Sequence, residues 1–148
     1  MIQDFREILT ELVAANARFL VVGAHALSAH GVPRATVDLD IWIAPVPENA
    51  IRVYQALAQF GAPLETLGVS VSDFTEPDMV TQFGVPPYRI DILTSVSGVT
   101  FEDAWQERIE GEIEGVLVPI LGLRAFVANK RASGRKKDLA DLESLGEE

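Results

Sequence analysis

Cysteine is missing altogether from the 148 residues. That excludes disulfide staples, zinc–thiolate sites and thiol nucleophiles, and it suits a reducing compartment such as the cytoplasm. Histidine is scarce: His25 and His30 flank a short predicted helix without the spacing of a metal-binding pair, so both read as caps or packing residues. Long apolar runs are absent too. "FLVV" and "VLVPILGL" fall far short of the roughly 20 residues a bilayer span needs. The N-terminal "MIQDFREILTEL" is charged from its fourth residue and has no apolar stretch ending in a cleavage site, so no signal peptide is expected. The expectation is a soluble, cytoplasmic protein with no membrane partner.

Positive charge is the minority sign, with 12 Lys and Arg against 22 Asp and Glu and a net charge of -10. Such a surface repels a polyanion, so broad DNA binding is not expected. One stretch departs from this. "KRASGRKK" gathers Lys130, Arg131, Arg135, Lys136 and Lys137, a cluster able to meet the phosphates of a small ligand.

What is present fits one globular domain over residues 1–148, with 48% hydrophobic residues and no repeat or linker. "DFREILTELVAAN" repeats apolar residues at helical spacing, and Asn16 is a natural stop. "RFLVVGA" predicts a buried strand ending in Gly23, "AHALSAHG" a short helix, and "VDLDIWIA" a second strand. "ENAIRVYQALAQFG" predicts a long helix with a glycine stop. Residues 62–87 break every period, with short strands expected near "VSVSDF" and "MVTQF". "YRIDILTSV" alternates as a strand, "TFEDAWQER" as a helical turn, and "IEGVLVPIL" as a last strand. Two helices between about 121 and 145 close the chain. This order predicts an α/β or α+β fold: a small mixed β-sheet with helices mainly on one face.

The chemistry centres on "VPRATVDLDIWI". On a strand, Asp38 and Asp40 share one face while Leu39 and Ile41 fill the core on the other. Two adjacent, partly desolvated carboxylates repel unless a cation compensates them; a hard divalent ion, Mg2+ or Mn2+, is the natural one. Asp91 in "RIDIL" is a third aspartate between apolar neighbours. If its strand lies beside the first, three carboxylates converge as in metal-assisted displacement at phosphorus. An exposed strand face is the simpler alternative for a lone D-x-D. Gly23 permits a tight turn before a helix whose first N–H groups favour an anion, although a strand-to-helix turn needs glycine in any case.

Taken together, "VGAHALSAHGVPRATVDLDIWI", "RIDILTSVSGVTFEDAW" and "NKRASGRKKDLADLESL" resemble the nucleotidyltransferase superfamily typified by DNA polymerase beta. More narrowly they are similar to small bacterial minimal nucleotidyltransferases and to the toxins of AbiE-type toxin–antitoxin systems. The resemblance implies a nucleotidyltransferase-like fold. It also implies metal binding by Asp38 and Asp40, metal binding or general-base duty for Asp91, and phosphate contact at the Gly23 turn. Ala24 stands where that signature has Gly or Ser, which leaves only backbone N–H groups there. Arg34 and Thr36 precede the metal strand and are candidates to orient phosphates, though Arg34 could equally pair with a surface carboxylate. Lys130 and Lys137 are candidates to offset charge on a transferring group, or else belong to a solvated helix face; Asp138 and Asp141 are expected to pair with these bases. Trp42 shares the aspartate face and either stacks on a base or joins the core, and Phe101 and Trp105 read as core.

The leading expectation is metal-dependent transfer of an NMP group from an NTP to a hydroxyl on a protein, a tRNA end or a small molecule. The alternatives are a non-catalytic or toxin–antitoxin-type interaction protein on the same fold, and a metal-dependent phosphatase or nuclease.

Overall fold

Helix α1 (Gln3–Ala14) forms because Phe5, Ile8, Leu9 and Leu12 fall on one stripe, all fully buried; each such side chain stabilises the fold by about 1.5–3 kcal/mol. The computed structural model describes residues 2–33 and 38–147. Asn16, just past α1, takes a left-handed conformation with φ 57° and turns the chain into strand β1 (Phe19–Val22), buried at every position. The seven-residue α2 (Gly23–Ala29) follows directly. Next come β2 (Asp38–Ile43) and the long α3 (Pro47–Phe60), which begins with proline where no donor is needed and ends at left-handed Gly61. Asn49 locks the start of α3 to the β1 entry, accepting from Arg18 N (2.7 Å) and donating to Arg18 O (2.9 Å) and Ala44 O (3.0 Å).

The middle of the chain differs from its sequence-based expectation at one point. "VSVSDF" does not form a strand: Leu64–Leu67 makes one short helix, α4, and Val71–Thr75 a 3-10 turn. The turn is closed by a capping box in which Ser70 and Asp73 satisfy each other's backbone. That local hydrogen bonding outweighs the alternation of valines. "MVTQF" does become a strand, β3 (Val80–Phe83), beside β4 (Arg89–Leu93). After α5 (Phe101–Gln106), the expected last strand is a hairpin, β5 (Ile109–Ile113) and β6 (Val116–Ile120), turned at Glu114 and Gly115, both with positive φ. Helices α6 (Leu123–Ser133) and α7 (Lys136–Ser144) end the fold, joined through left-handed Gly134.

The six strands form one mixed sheet in the order β3-β4-β2-β1-β6-β5. β2 and β4 run parallel, as do β1 and β6, while the other neighbours are antiparallel. Leu39 and Ile41 face the side on which α1 and α3 pack, where Phe60 of α3 meets Phe83 of β3. The opposite face is only partly covered. Phe101 of α5 sits edge-on to Trp42, 5.2 Å between ring centroids, and α6 faces Asp40 and Leu93 across a cleft. Among the described residues no helix is long and apolar enough to cross a membrane.

Candidate active site

The alternation of β2 places Leu39 and Ile41 in the core and leaves Asp38 and Asp40 partly exposed on the other side. β4 alternates its facing in the same way and lies beside β2 in parallel, with Asp38 opposite Arg89 and Asp40 opposite Asp91. Strand register thus sets the three aspartates on one face of two neighbouring strands. Asp91 is buried, at 7% exposure.

Burial pushes the Asp40 carboxyl up from the usual 3.8 to about 6, with the charge of Asp91, a hydrogen bond shared with Asp91 and the charge of Asp38 adding to it. Lys137 acts the other way. Asp40 also lies against Gly23, whose φ of +69° is left-handed and whose missing Cβ would run into the Asp40 carboxylate. Only glycine satisfies both conditions, so the strand-to-helix turn and the carboxylate are fitted to each other.

Sequence reasoning overlooked Arg89. Its Nε donates to Asp91 Oδ1 (3.0 Å), and its Nη2 donates to Asp91 Oδ2 (3.3 Å) and to Asp38 Oδ2 (3.1 Å). The i, i+2 rule that grouped Asp38 with Asp40 applies equally to Arg89 and Asp91, and that was the available signal. Among the described residues no three His, Cys, Asp or Glu side chains stand in an arrangement that could hold a metal ion.

A cleft of about 420 Å³ opens beside Asp40, lined by Gly23, Asp40, Val96, Ser97, Asn129 and Arg135 among others. Its far wall is fixed to the loop that follows β4. Asn129 Nδ2 donates to Ser97 O (2.9 Å), and Gly98 allows close approach of the loop to Ala132 of α6.

Of the two candidate lysines, Lys137 is exposed and acts electrostatically on Asp40. Lys130 is instead buried, its Nζ 3.2 Å from Asp138 Oδ1 and 3.8 Å from Asp141 Oδ2. It serves first as the counter-charge of two buried carboxylates, as the pairing expected for Asp138 and Asp141 implies. Burial works against the Asp138 carboxylate, yet hydrogen bonds from Arg135 and Lys130 hold its carboxyl below the usual range. Trp42 belongs to the core, at 1% exposure. His30 Nε2 lies 2.8 Å from Leu121 O. His25 packs edge-on to Phe5, its ring kept below its ordinary pKa by burial, against the charge of Glu114. Arg34 and Thr36 lie outside the described residues.

No protein-family profile and no curated protein sequence matches the chain. In three dimensions it is similar to a Thermotoga maritima protein given provisionally as a nucleotidyltransferase in its crystal structure. The TM-score is 0.58 and the identity 15%, over 97% of this chain and 89% of that one. With a six-stranded mixed sheet and aspartates presented on adjacent parallel strands, the chain has a nucleotidyltransferase-like fold.

Proposed function

We propose that the chain is a metal-dependent nucleotidyltransferase, moving an NMP group from an NTP to an acceptor hydroxyl. The observation that carries this reading is the register of β2 and β4, which sets Asp40 opposite Asp91 with Asp38 one pleat away, at the mouth of a polar cleft. The likeness to the Thermotoga maritima protein supports the same class of chemistry.

The donor set suits Mg2+ or Mn2+: three hard carboxylate groups, one of them costly to ionise where it stands. Asp38 and Asp40 would hold the ion, with Asp91 as a further ligand, once the half-exposed Arg89 turns outward. When bound, the ion supplies charge neutralisation at the phosphates. The Gly23 and Ala24 amides, at the uncapped start of α2, would donate to phosphate oxygens, and Lys137 would add a positive charge on that side. Asp91 takes the proton of the acceptor hydroxyl. The hydroxyl oxygen bonds to the α-phosphorus, the bond from that phosphorus to the bridging oxygen breaks, and pyrophosphate leaves. Rate acceleration comes from positioning and electrostatics. A protein hydroxyl, a tRNA end and a small molecule all fit as acceptor.

One observation favours a second reading. The ion pairs of Arg89 with Asp38 and Asp91 already compensate much of the carboxylate charge, as in an interaction module of the toxin–antitoxin kind that has given up turnover. Titration calorimetry of each NTP with Mg2+ into the wild type and the Asp38→Ala, Asp40→Ala double variant separates the two. Saturable binding to the wild type alone supports the transferase; binding to neither supports the interaction module.

A further inference from the structure

Arg89 is more than a surface ion-pair partner. An exposed pair typically holds one carboxylate with one long side chain and adds little. Here one guanidinium grips both oxygens of a buried aspartate on its own strand and reaches an oxygen of a second on the neighbouring strand, with all three hydrogen bonds between 3.0 and 3.3 Å. The planar fork of arginine fits this two-carboxylate geometry, which a lysine ammonium cannot reproduce. Register makes the placement obligatory: Arg89 sits directly opposite Asp38, one pleat from the Asp40 and Asp91 pair.

We propose that Arg89 is an internal counter-ion that occupies the carboxylate cluster until a divalent cation displaces it, so that this residue sets how tightly the protein binds metal. The inference rests on the metal reading of Asp38, Asp40 and Asp91. The guanidinium takes up the oxygens of Asp38 and Asp91 that the ion would use, and its charge opposes the ion's approach. Nearly half its side-chain surface is exposed, so it can swing outward without disturbing the core. Metal affinity is thereby held below what three carboxylates would give. A cation arriving with a triphosphate is favoured over the bare ion, because the anion's charge accommodates the displaced guanidinium.

The test is Mn2+ binding without nucleotide, followed by electron paramagnetic resonance, for the wild type, Arg89→Met, Arg89→Gln, Arg89→Lys and Asp40→Asn, each checked for folding by circular dichroism. Removing one positive charge in contact with the ligands should tighten Mn2+ about tenfold or more. Arg89→Lys should fall between Arg89→Met and the wild type, and Asp40→Asn should bind far more weakly than any of them. In the wild type, Mg2+ addition should also move the Arg89 Nε resonance toward that of a solvated guanidinium, a change that a purely structural ion pair would not show. Equal or weaker Mn2+ binding by Arg89→Met and Arg89→Gln, with wild-type binding still lost in Asp40→Asn, overturns the inference and leaves the metal reading intact. Absence of Mn2+ binding in every protein overturns both.

Discussion

Replacing Asp40 with asparagine should stabilise the metal-free protein at neutral pH, although it removes a residue at the centre of the candidate site. The side chain keeps its shape and loses only its charge, which burial and the neighbouring Asp91 and Asp38 make costly. A carboxyl moved from 3.8 to about 6 costs at most about 3 kcal/mol to ionise, at roughly 1.4 kcal/mol per tenfold. Residual solvent contact reduces this to about 1–2 kcal/mol, or some 2–8 °C in melting temperature for a domain of this size, as an order of magnitude. Between about pH 4 and 6 the folded state retains a proton that the unfolded chain has released, so this group's contribution to stability falls as pH rises through that window. The gap between Asp40→Asn and the wild type should therefore open across it and close below about pH 4. Urea unfolding in EDTA at pH 3.5, 5 and 7.5 measures this directly. A variant no more stable than the wild type at pH 7.5, or a gap independent of pH, would refute the electrostatic account of Asp40.

Three other substitutions probe the frame around it. Gly23→Ala puts a side chain at a left-handed φ and into the Asp40 carboxylate; it should cost about 1–3 kcal/mol in denaturant melts and weaken Mg2+·NTP binding by calorimetry. Lys130→Met leaves Asp138 and Asp141 buried without their shared cation, and a loss of about 3–5 kcal/mol is expected on unfolding. The low-lying Asp138 carboxyl stabilises the fold above the usual carboxylate range and loses that contribution as pH falls, so Lys130→Met should also flatten acid unfolding. Lys137→Ala, at an exposed position, should change stability by no more than about 0.5 kcal/mol and yet weaken NTP binding severalfold.

Much of this arrangement was legible in the sequence because a strand's period of two is a strict rule. It assigned Asp38 and Asp40 to one face and Leu39 and Ile41 to the other, and it singled out Asp91 between two buried isoleucines. The adjacency of β2 and β4 was not legible, since nothing local encodes the pairing of residues 51 positions apart, such as Asp38 and Arg89. Arg89 was missed for a different reason: arginine beside an aspartate on a strand looks like ordinary surface charge until the neighbouring strand supplies a second carboxylate. The β5 and β6 hairpin was read as one strand because exposed Glu110 and Glu112 carry too little apolar signal on an outer strand. At Val71–Thr75 the valine spacing favours a strand in the sequence, and only the Ser70 and Asp73 capping box marks the 3-10 turn.

The clasp between Asn129 and Ser97 and the pairing of Asp38 with Arg89 join residues 32 and 51 positions apart, which bears on when, during its own synthesis, the chain becomes competent. A nascent chain halted before Arg89 has the first two aspartates but neither the third nor the guanidinium. One halted before Asn129 has all four charged groups on the sheet but no far wall to the cleft. Contacts of such separation pay their loop-closure entropy last, so the cleft waits on the closing helices, and a truncated product from a broken message would carry the three aspartates without the wall that faces them.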